Sequence, residues 1–282
     1  MEHLKIKTLE SISTTDILGC FNAAFSDYQT PTHLALHQLE NKMKSENVLG
    51  EYSIGVFDNE RLVGFILHGY DIIKDKKVLY NAATGVIPEY RGQKLTGRMY
   101  SFGLPEFKRA GIESIRLEVI TENLRAHKVY KRIGFEERRT LCCYKGTVHA
   151  SPTQTEKSIK RVKSCNWDKL KSFCISEPTW QNSTESISRS AGDTEIWGIY
   201  DNDKLIAYLA CIPERKRILL FAVKPEYRKQ GLGSSLFGYI ASLYGPELSV
   251  VNVDINDTVT NSFLGSIGLS EFLRQYDMCL VL

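Results

Sequence analysis

The sequence predicts an α+β protein built from two tandem domains, each a mixed, mostly antiparallel sheet flanked by helices. The chain has 282 residues, a length that fits two domains of roughly 100–200 residues each. The stretches 55–65 and 86–100 recur at 198–208 and 223–237 with their order kept, which is a repeat after roughly 140 residues. A repeat of this length indicates a duplicated domain and not a solenoid unit.

The domain boundaries follow from the repeat and from one polar stretch between its copies. Ser-Pro-Thr-Gln-Thr, beginning at Ser151, has the composition of a loop. We therefore expect an N-terminal domain over 1–147, a linker over 148–157 and a C-terminal domain over 158–282.

The elements of the first half are predicted from hydrophobic periodicity and from its boundary residues. Asn59-Glu60 separates two alternating runs and is expected to turn a hairpin, while Gly111 and Gly134 are expected to end helices. Strands are predicted at 4–9, 52–58, 61–70, 78–86, 112–120 and 135–145, and helices at 14–25, 32–45, 94–110 and 123–133.

The second half repeats this order of elements and ends in an extended segment. Its strands are predicted at 158–162, 195–200, 204–211, 217–223 and 248–255, and its helices at 167–175, 179–188, 231–244 and 258–267. Strands and helices mixed in this way place both halves in the α+β class.

Composition narrows the class of function. Apolar residues make up 43% of the chain and charged residues 24%, the balance of a soluble globular protein. The formal charge of +3 argues against a nucleic-acid partner or a basic membrane anchor. The longest apolar run, 218–223, is too short to span a membrane, and the first residues lack the apolar core of a signal peptide.

Seven irregularly spaced cysteines without a Cys-x-x-Cys pair indicate reduced thiols, and we expect a cytoplasmic protein. His33 and His37 have a spacing that can bind a metal, but no third ligand accompanies them, so no metal site is predicted. A monomer and a homodimer both stay open.

The strongest chemical signal is the stretch Arg228-Lys-Gln-Gly-Leu-Gly, which lies between a predicted strand and a predicted helix. Glycines in such a turn let the backbone aim several N–H groups at one point, and the positive end of the next helix adds to their field. The turn therefore predicts a diphosphate-binding loop. Its counterpart in the first half begins at Arg91, where Lys94 and Thr96 replace small residues.

With these motifs both halves resemble the GNAT superfamily of acyl-CoA-dependent N-acetyltransferases. The superfamily's phosphate loop reads Gln/Arg-x-x-Gly-x-Gly/Ala after a strand that ends in Val-x-Pro. The resemblance implies acetyl-CoA, or another acyl-CoA, as the cofactor. It places the cofactor on Thr84, Gly85, Val86, Arg91, Gly92, Gln93, Lys94, Leu95, Thr96, Gly97 and Asn123 in the first half, and on Ala222, Val223, Arg228, Lys229, Gln230, Gly231, Leu232, Gly233 and Ser234 in the second.

The first half also matches the superfamily's second signature, which begins at Asn123 and ends at Gly134-Phe135. The resemblance makes Tyr130 the general acid that protonates the departing CoA thiolate. Glu118 resembles the glutamate that helps remove the amine proton in the ribosomal-protein N-terminal acetyltransferases. Each residue also has a structural alternative: a core ring for Tyr130, a solvated or ion-paired carboxylate for Glu118, and a helix N-cap for Asn123.

The second half keeps the loop and loses the acid. Counting back from Gly268-Leu269, Leu264 takes the tyrosine position, Asp257 takes the asparagine position, and Asn252 stands where the glutamate would be. A leucine cannot protonate a thiolate, so we expect catalysis in the first half. The reverse stays open if Cys279, Tyr276 or Asp254 supplies the missing group.

The predicted activity is acetyl transfer from acetyl-CoA to an amine by direct attack. Its acceptor, a small molecule or a peptide, is expected near Asp27 and Tyr28, for which helix-end capping is the alternative. Trp180 and the polar run after it are their counterparts in the second half. Two other functions stay open: a non-catalytic acyl-CoA-binding or sensing protein, and a protein-interaction role.

Overall fold

A computed structural model describes residues 4–27, 33–149, 158–163 and 166–282. By their internal contacts the residues form two units. Unit 1 consists of Met1–Arg138 and Asp277–Leu282, and unit 2 consists of Arg139–Tyr276.

In its described residues, unit 1 contains five complete strands and four α-helices before its last strand. Polar residues that satisfy free backbone N–H groups mark two of the helix starts, where Ser13 accepts from Asp16 N and Asn123 accepts from Ala126 N. The elements are β1 (Leu4–Thr8), α1 (Thr14–Ala24), α2 (Leu36–Ser45), β2 (Ile54–Asp58), β3 (Arg61–Ile73), β4 (Lys76–Val86), α3 (Leu95–Arg109), β5 (Ser114–Ile120) and α4 (Leu124–Ile133).

The sheet of unit 1 has the strand order β1-β2-β3-β4-β5, followed by the last residues of β12 (Ser270–Val281). All described pairings between β1 and β4 are antiparallel, whereas β4 and β5 are parallel. The β3–β4 hairpin is longer than predicted because Lys74 and Asp75, both at positive φ, form a two-residue turn. Helix α3 buries Leu95, Met99 and Phe107 at helical spacing, which anchors it on the sheet.

Unit 2 has a sheet with the strand order β6-β11-β10-β9-β8-β7, in which only β10 and β11 are parallel among the described pairs. Its core includes Ile199, Leu209, Ile218 and Phe237, all fully buried. The elements are β6 (Glu136–Thr147), β7 (Ile159–Arg161), α5 (Trp167–Lys171), α6 (Thr184–Arg189), β8 (Glu195–Asp201), β9 (Lys204–Ile212), β10 (Arg217–Val223), α7 (Leu232–Tyr244), β11 (Glu247–Asp254) and α8 (Thr258–Ser266).

The two units differ from the predicted domains at their last strands. Residues 139–147 belong to unit 2, because they pair antiparallel with β11 from Thr147–Glu247 to Leu141–Asp254. Residues 277–282 belong to unit 1, where the Leu282 N–H donates to Glu113 O at 3.0 Å. The predicted linker, 148–157, lies mostly outside the described residues.

The predicted helix at 179–188 is divided in the structure. A 3-10 turn, Trp180–Asn182, comes first, and α6 begins only after Ser183, whose side chain accepts from Ser186 N. Within the described part of the chain no helix is both long and apolar enough to cross a bilayer.

Candidate active site

A cleft opens in each unit where its two parallel strands separate. In unit 1, β4 and β5 pair only from Val78–Ser114 to Tyr80–Arg116, although β4 continues to Val86 and β5 to Ile120. In unit 2, β10 and β11 pair at Arg217–Ser249 and Ile218–Val250 and then separate. Both clefts therefore have strand edges without a neighbouring strand, which leaves backbone groups for a ligand.

The two phosphate loops follow one backbone path despite their different sequences. Each loop has left-handed residues one and three positions after its arginine: Gly92 (φ 80°) and Lys94 (φ 57°) in unit 1, Lys229 (φ 60°) and Gly231 (φ 77°) in unit 2. Glycine and lysine have exchanged places. A lysine in this region costs roughly 1–2 kcal/mol, so each loop accepts strain at one of the two positions. The replacement of glycine by Lys94 leaves the turn intact.

Free backbone donors face the open side of the first loop. The first bond of α3 runs from Arg98 N to Lys94 O at 3.1 Å, so the three N–H groups before Arg98 have no partner inside the helix. A methyl group in place of a hydrogen of Gly97 would meet no protein atom within 4 Å. Open space in front of free N–H groups at a helix start fits an anionic diphosphate.

The loop arginines hold the loops in place. The Arg91 Nε donates to Val86 O at 3.1 Å, its Nη2 donates to Ala24 O at 2.9 Å, and its guanidinium forms a two-pronged ion pair with Asp27 at 2.7 Å. Arg228 repeats the first two bonds with Val223 O and Phe173 O. These bonds join each loop to the strand before it and to the helical segment that precedes the hairpin of its unit.

The structure thus places Asp27, predicted to bind the acceptor, in a contact with the first phosphate loop. The Arg91 guanidinium holds the pKa of Asp27 below its ordinary value. Tyr28 lies outside the described residues.

Glu118 has the properties of a base. It lies on β5 two residues beyond the last pair with β4, and the Tyr80 hydroxyl donates to its Oε2 at 2.5 Å. The pKa of Glu118 is raised to about 7. Burial is the main cause, and the charges of Asp277 and Glu46 add to it, whereas the hydrogen bond from Tyr80 acts in the opposite direction. A carboxyl group with this pKa takes up and releases a proton near neutral pH.

Tyr130 is buried in unit 1, with its ring edge-to-face on Phe135 at 5.5 Å. The Phe135 ring makes the same edge-to-face contact with Tyr100 of α3. Burial is the main cause of the raised pKa of Tyr100, and the nearby Tyr130 is the second cause. The two tyrosines therefore lie near each other. Asn123 is the N-cap of α4, a role that the sequence left open beside cofactor binding.

A polar network that includes Thr84 was not predicted from the sequence. Asn81 is buried, and its Nδ2 donates to the Tyr100 hydroxyl at 2.9 Å and to Thr84 Oγ1 at 2.8 Å. The network sits at a bulge of β4, where the pairing with β3 skips Ala82. A buried Asn-x-x-Thr next to the Val-x-Pro strand end was the available signal.

A Tyr80→Phe variant tests the setting of the Glu118 pKa. It removes the hydroxyl that stabilises the ionised carboxylate, so the pKa of Glu118 should rise by about one unit above its present value of about 7. The acidic limb of the profile of kcat/KM against pH should move upward by the same amount. An unchanged limb in a folded variant would contradict this pairing.

The site of unit 2 lacks the same groups. Leu264 is fully buried at the tyrosine position. Asp257 caps α8 by accepting from Thr260 N, and the Asn252 side chain is held by Gln275 at 2.7 Å and by Thr179 at 3.2 Å. Asp254, one of the residues considered as a replacement, lies 3.4 Å from the Arg139 guanidinium in an ion pair.

Two family models match the chain, one in each unit. The Acetyltransferase (GNAT) family matches residues 16–135, and the Acetyltransferase (GNAT) domain matches residues 192–263. The chain belongs to the GNAT family. The predicted tandem arrangement is confirmed.

One relative and two solved structures show what this GNAT protein is similar to. It is 30% identical over 95 residues to N-alpha-acetyltransferase 30 of Schizosaccharomyces pombe, a match that covers 33% of this chain and 63% of that relative. A tandem GNAT protein from the clavulanic acid biosynthesis pathway has a TM-score of 0.71 at 11% identity, covering 99% and 98% of the two chains. A GCN5-related N-acetyltransferase from Sphaerobacter thermophilus has a TM-score of 0.67 at 12% identity, covering 100% and 96%. Because both sequence identities are low, the two structures confirm the predicted fold class and nothing finer.

Proposed function

We propose that unit 1 transfers an acetyl group from acetyl-CoA to an amine, with Glu118 as the base and Tyr130 as the acid. The observation that carries the proposal is a partly buried carboxyl group with a pKa of about 7 in the cleft between β4 and β5. Catalytic sites frequently contain a carboxyl group whose pKa is raised by burial to near neutral pH.

The cofactor would lie on the loop and strand end of unit 1. Acetyl-CoA, when bound, supplies the thioester whose acetyl group is transferred. The N–H groups at the start of α3 hold its diphosphate, and backbone N–H groups near Gly85 and Val86 stabilise negative charge on the carbonyl oxygen. Lys94, exposed in the loop, adds a positive charge near the phosphates.

The protein's own residues would move the protons. Glu118 takes a proton from the substrate ammonium, which frees the nitrogen lone pair to form the new C–N bond. Tyr130 gives its hydroxyl proton to the sulfur as the C–S bond breaks. The nitrogen, which carries a positive charge after it bonds to the carbonyl carbon, gives up its second proton, and this proton restores the Tyr130 hydroxyl.

The same loop in unit 2 is proposed to hold a second CoA. Its Arg228 repeats the two bonds that Arg91 makes to backbone carbonyls. The first bond of α7, from Ser235 N to Gly231 O at 2.9 Å, leaves the three preceding N–H groups without a partner inside the helix.

An amine panel tests the activity. The purified protein is incubated with acetyl-CoA and small amines, lysine or peptides with free N-termini, the last suggested by the name of the fission-yeast relative. Release of CoA thiol and a mass increase of the acceptor are the expected results. Binding of acetyl-CoA without acetylation of any acceptor would favour the acyl-CoA-binding function instead.

A further inference from the structure

Unit 2 contains a cavity of about 520 Å³, within the range of ligand sites. The cavity begins at the second phosphate loop, including Arg228, Gly231 and Ser234, and reaches the cleft between β10 and β11. Most of its lining surface is apolar, and its polar lining residues include Asn182, Asn252 and Asp257. The apolar lining includes Leu219, Phe221, Val223, Val250, Val253 and Phe263.

The residues at and behind the cavity of unit 2 differ from their counterparts in unit 1 in one consistent way. The positions of Asn81, Thr84 and Tyr100 in unit 1 correspond to Ile218, Phe221 and Phe237 in unit 2, and the bulge of β4 at Ala82 corresponds to the bulge of β10 at Leu219. Tyr130 corresponds to Leu264. Every member of the polar network has become a hydrocarbon side chain.

These apolar replacements pack as a group. The Phe221 ring lies 4.9 Å from the Phe237 ring, and both lie within 6 Å of the Phe263 ring, at 5.7 and 5.5 Å. Phe221 and Phe263 line the cavity. The part of the cleft that is polar in unit 1 is therefore an aromatic wall in unit 2.

One segment of the chain lies against the unit 2 cleft on the side where the acceptor is expected. The segment Thr179–Asn182 bonds to both separating strands: Asn182 Nδ2 donates to Val251 O at 2.8 Å, and Arg217 of β10 donates to Gln181 and Asn182 at 3.1 and 3.3 Å. Thr179 and Asn182 are each 4% exposed. This segment precedes the β8–β9 hairpin and contains Trp180, the counterpart of the predicted acceptor residues of the first half.

We propose that unit 2 binds a CoA thioester with an apolar acyl group and holds it without transfer. The inference rests on the proposed binding of CoA at the second loop, and it adds the class of acyl group and the absence of turnover. Hydrocarbon walls stabilise a buried acyl chain in proportion to its apolar area. Leu264 puts no proton donor at the position of Tyr130, and the Asn252 side chain, at the position of Glu118, is bonded to Gln275 and Thr179. The acid and the base proposed for unit 1 are therefore both missing from their positions in unit 2.

Matched substitutions separate the two sites. Gly97→Glu and Ser234→Glu place a carboxylate at equivalent positions in the first turns of α3 and α7. A negative charge there repels the phosphates of CoA, whereas it interacts favourably with the helix dipole, so both variants should fold. Thermal unfolding without ligand checks this expectation.

Calorimetric titrations with acetyl-, butanoyl- and hexanoyl-CoA then measure the preference. In Gly97→Glu we expect one site with affinity that rises along the series, hexanoyl-CoA binding about tenfold or more tighter than acetyl-CoA. Ser234→Glu should lose this preference. The Gly97→Glu protein should transfer no hexanoyl group to the amine panel, as judged by mass spectrometry.

Equal affinities along the series in Gly97→Glu would overturn the inference, as would a preference that persists in Ser234→Glu or transfer by Gly97→Glu. If Gly97→Glu binds no CoA ester, the proposed second CoA site fails and the inference fails with it. If Gly97→Glu shows the preference and the unaltered protein acetylates no amine, the proposed catalysis fails and the inference stands.

Discussion

A Tyr130→Phe variant is expected to transfer acetyl groups about 100- to 10,000-fold more slowly than the unaltered protein. The hydroxyl is the proposed donor of the proton to the leaving sulfur, and phenylalanine keeps the ring that packs on Phe135 at 5.5 Å. The affinity of unit 1 for CoA should change little, since the loop is untouched. Steady-state rates and calorimetry on the same preparation measure both effects.

The matched control for this variant is Tyr239→Phe. This substitution also removes a tyrosine hydroxyl, but from α7 of unit 2, where the Tyr239 ring lies 5.0 Å from the Trp197 ring. If Tyr130→Phe retains full turnover while folded, Tyr130 is a core ring, as the structural alternative held.

Glu118→Gln should lower kcat/KM at neutral pH by a similar factor, about 100- to 10,000-fold. In the unaltered protein the ionised carboxylate is the active form, and burial raises its pKa to about 7. Activity should therefore rise with pH up to about 7 and fall below it. Glutamine keeps the size of the side chain and cannot take up the proton, so this limb of the pH profile should disappear.

Glu122→Gln is the control, because it makes the same substitution at an exposed position four residues away. A pH limb that survives in Glu118→Gln would assign the base to another group. A loss of activity without loss of the limb would make Glu118 a residue that binds the substrate.

The sequence was sufficient for the fold class and for the order of elements because both depend on local patterns. The alternation in 55–65 and its copy predicted the hairpins, and the Val-x-Pro ends with their loops predicted where the strands separate. The phosphate loops were predictable because positive φ, helix start and glycine coincide at Gly231.

The remaining features depend on partners far apart in sequence. The hydrogen bond between Tyr80 and Glu118 joins residues 38 positions apart on two strands, and no local sequence motif predicts it. The segment Thr179–Asn182 was predicted as part of a helix, and only its bonds to β10 and β11 show that it lies against the cleft. The placement of residues 139–147 in unit 2 likewise depends on pairing with β11, about a hundred residues later in the chain.

The division of the last strands has a consequence for biosynthesis. Ribosomes release a chain from its N-terminus, and domains generally fold as they emerge. Unit 1 draws residues 277–282 into its sheet beside β5, so its sheet cannot be completed until those residues have been translated. For most of synthesis β5 presents an unpaired edge, the kind of surface on which chaperones act and aggregation begins. A nascent chain stalled before residue 277 should thus be more sensitive to protease in unit 1 than the finished protein.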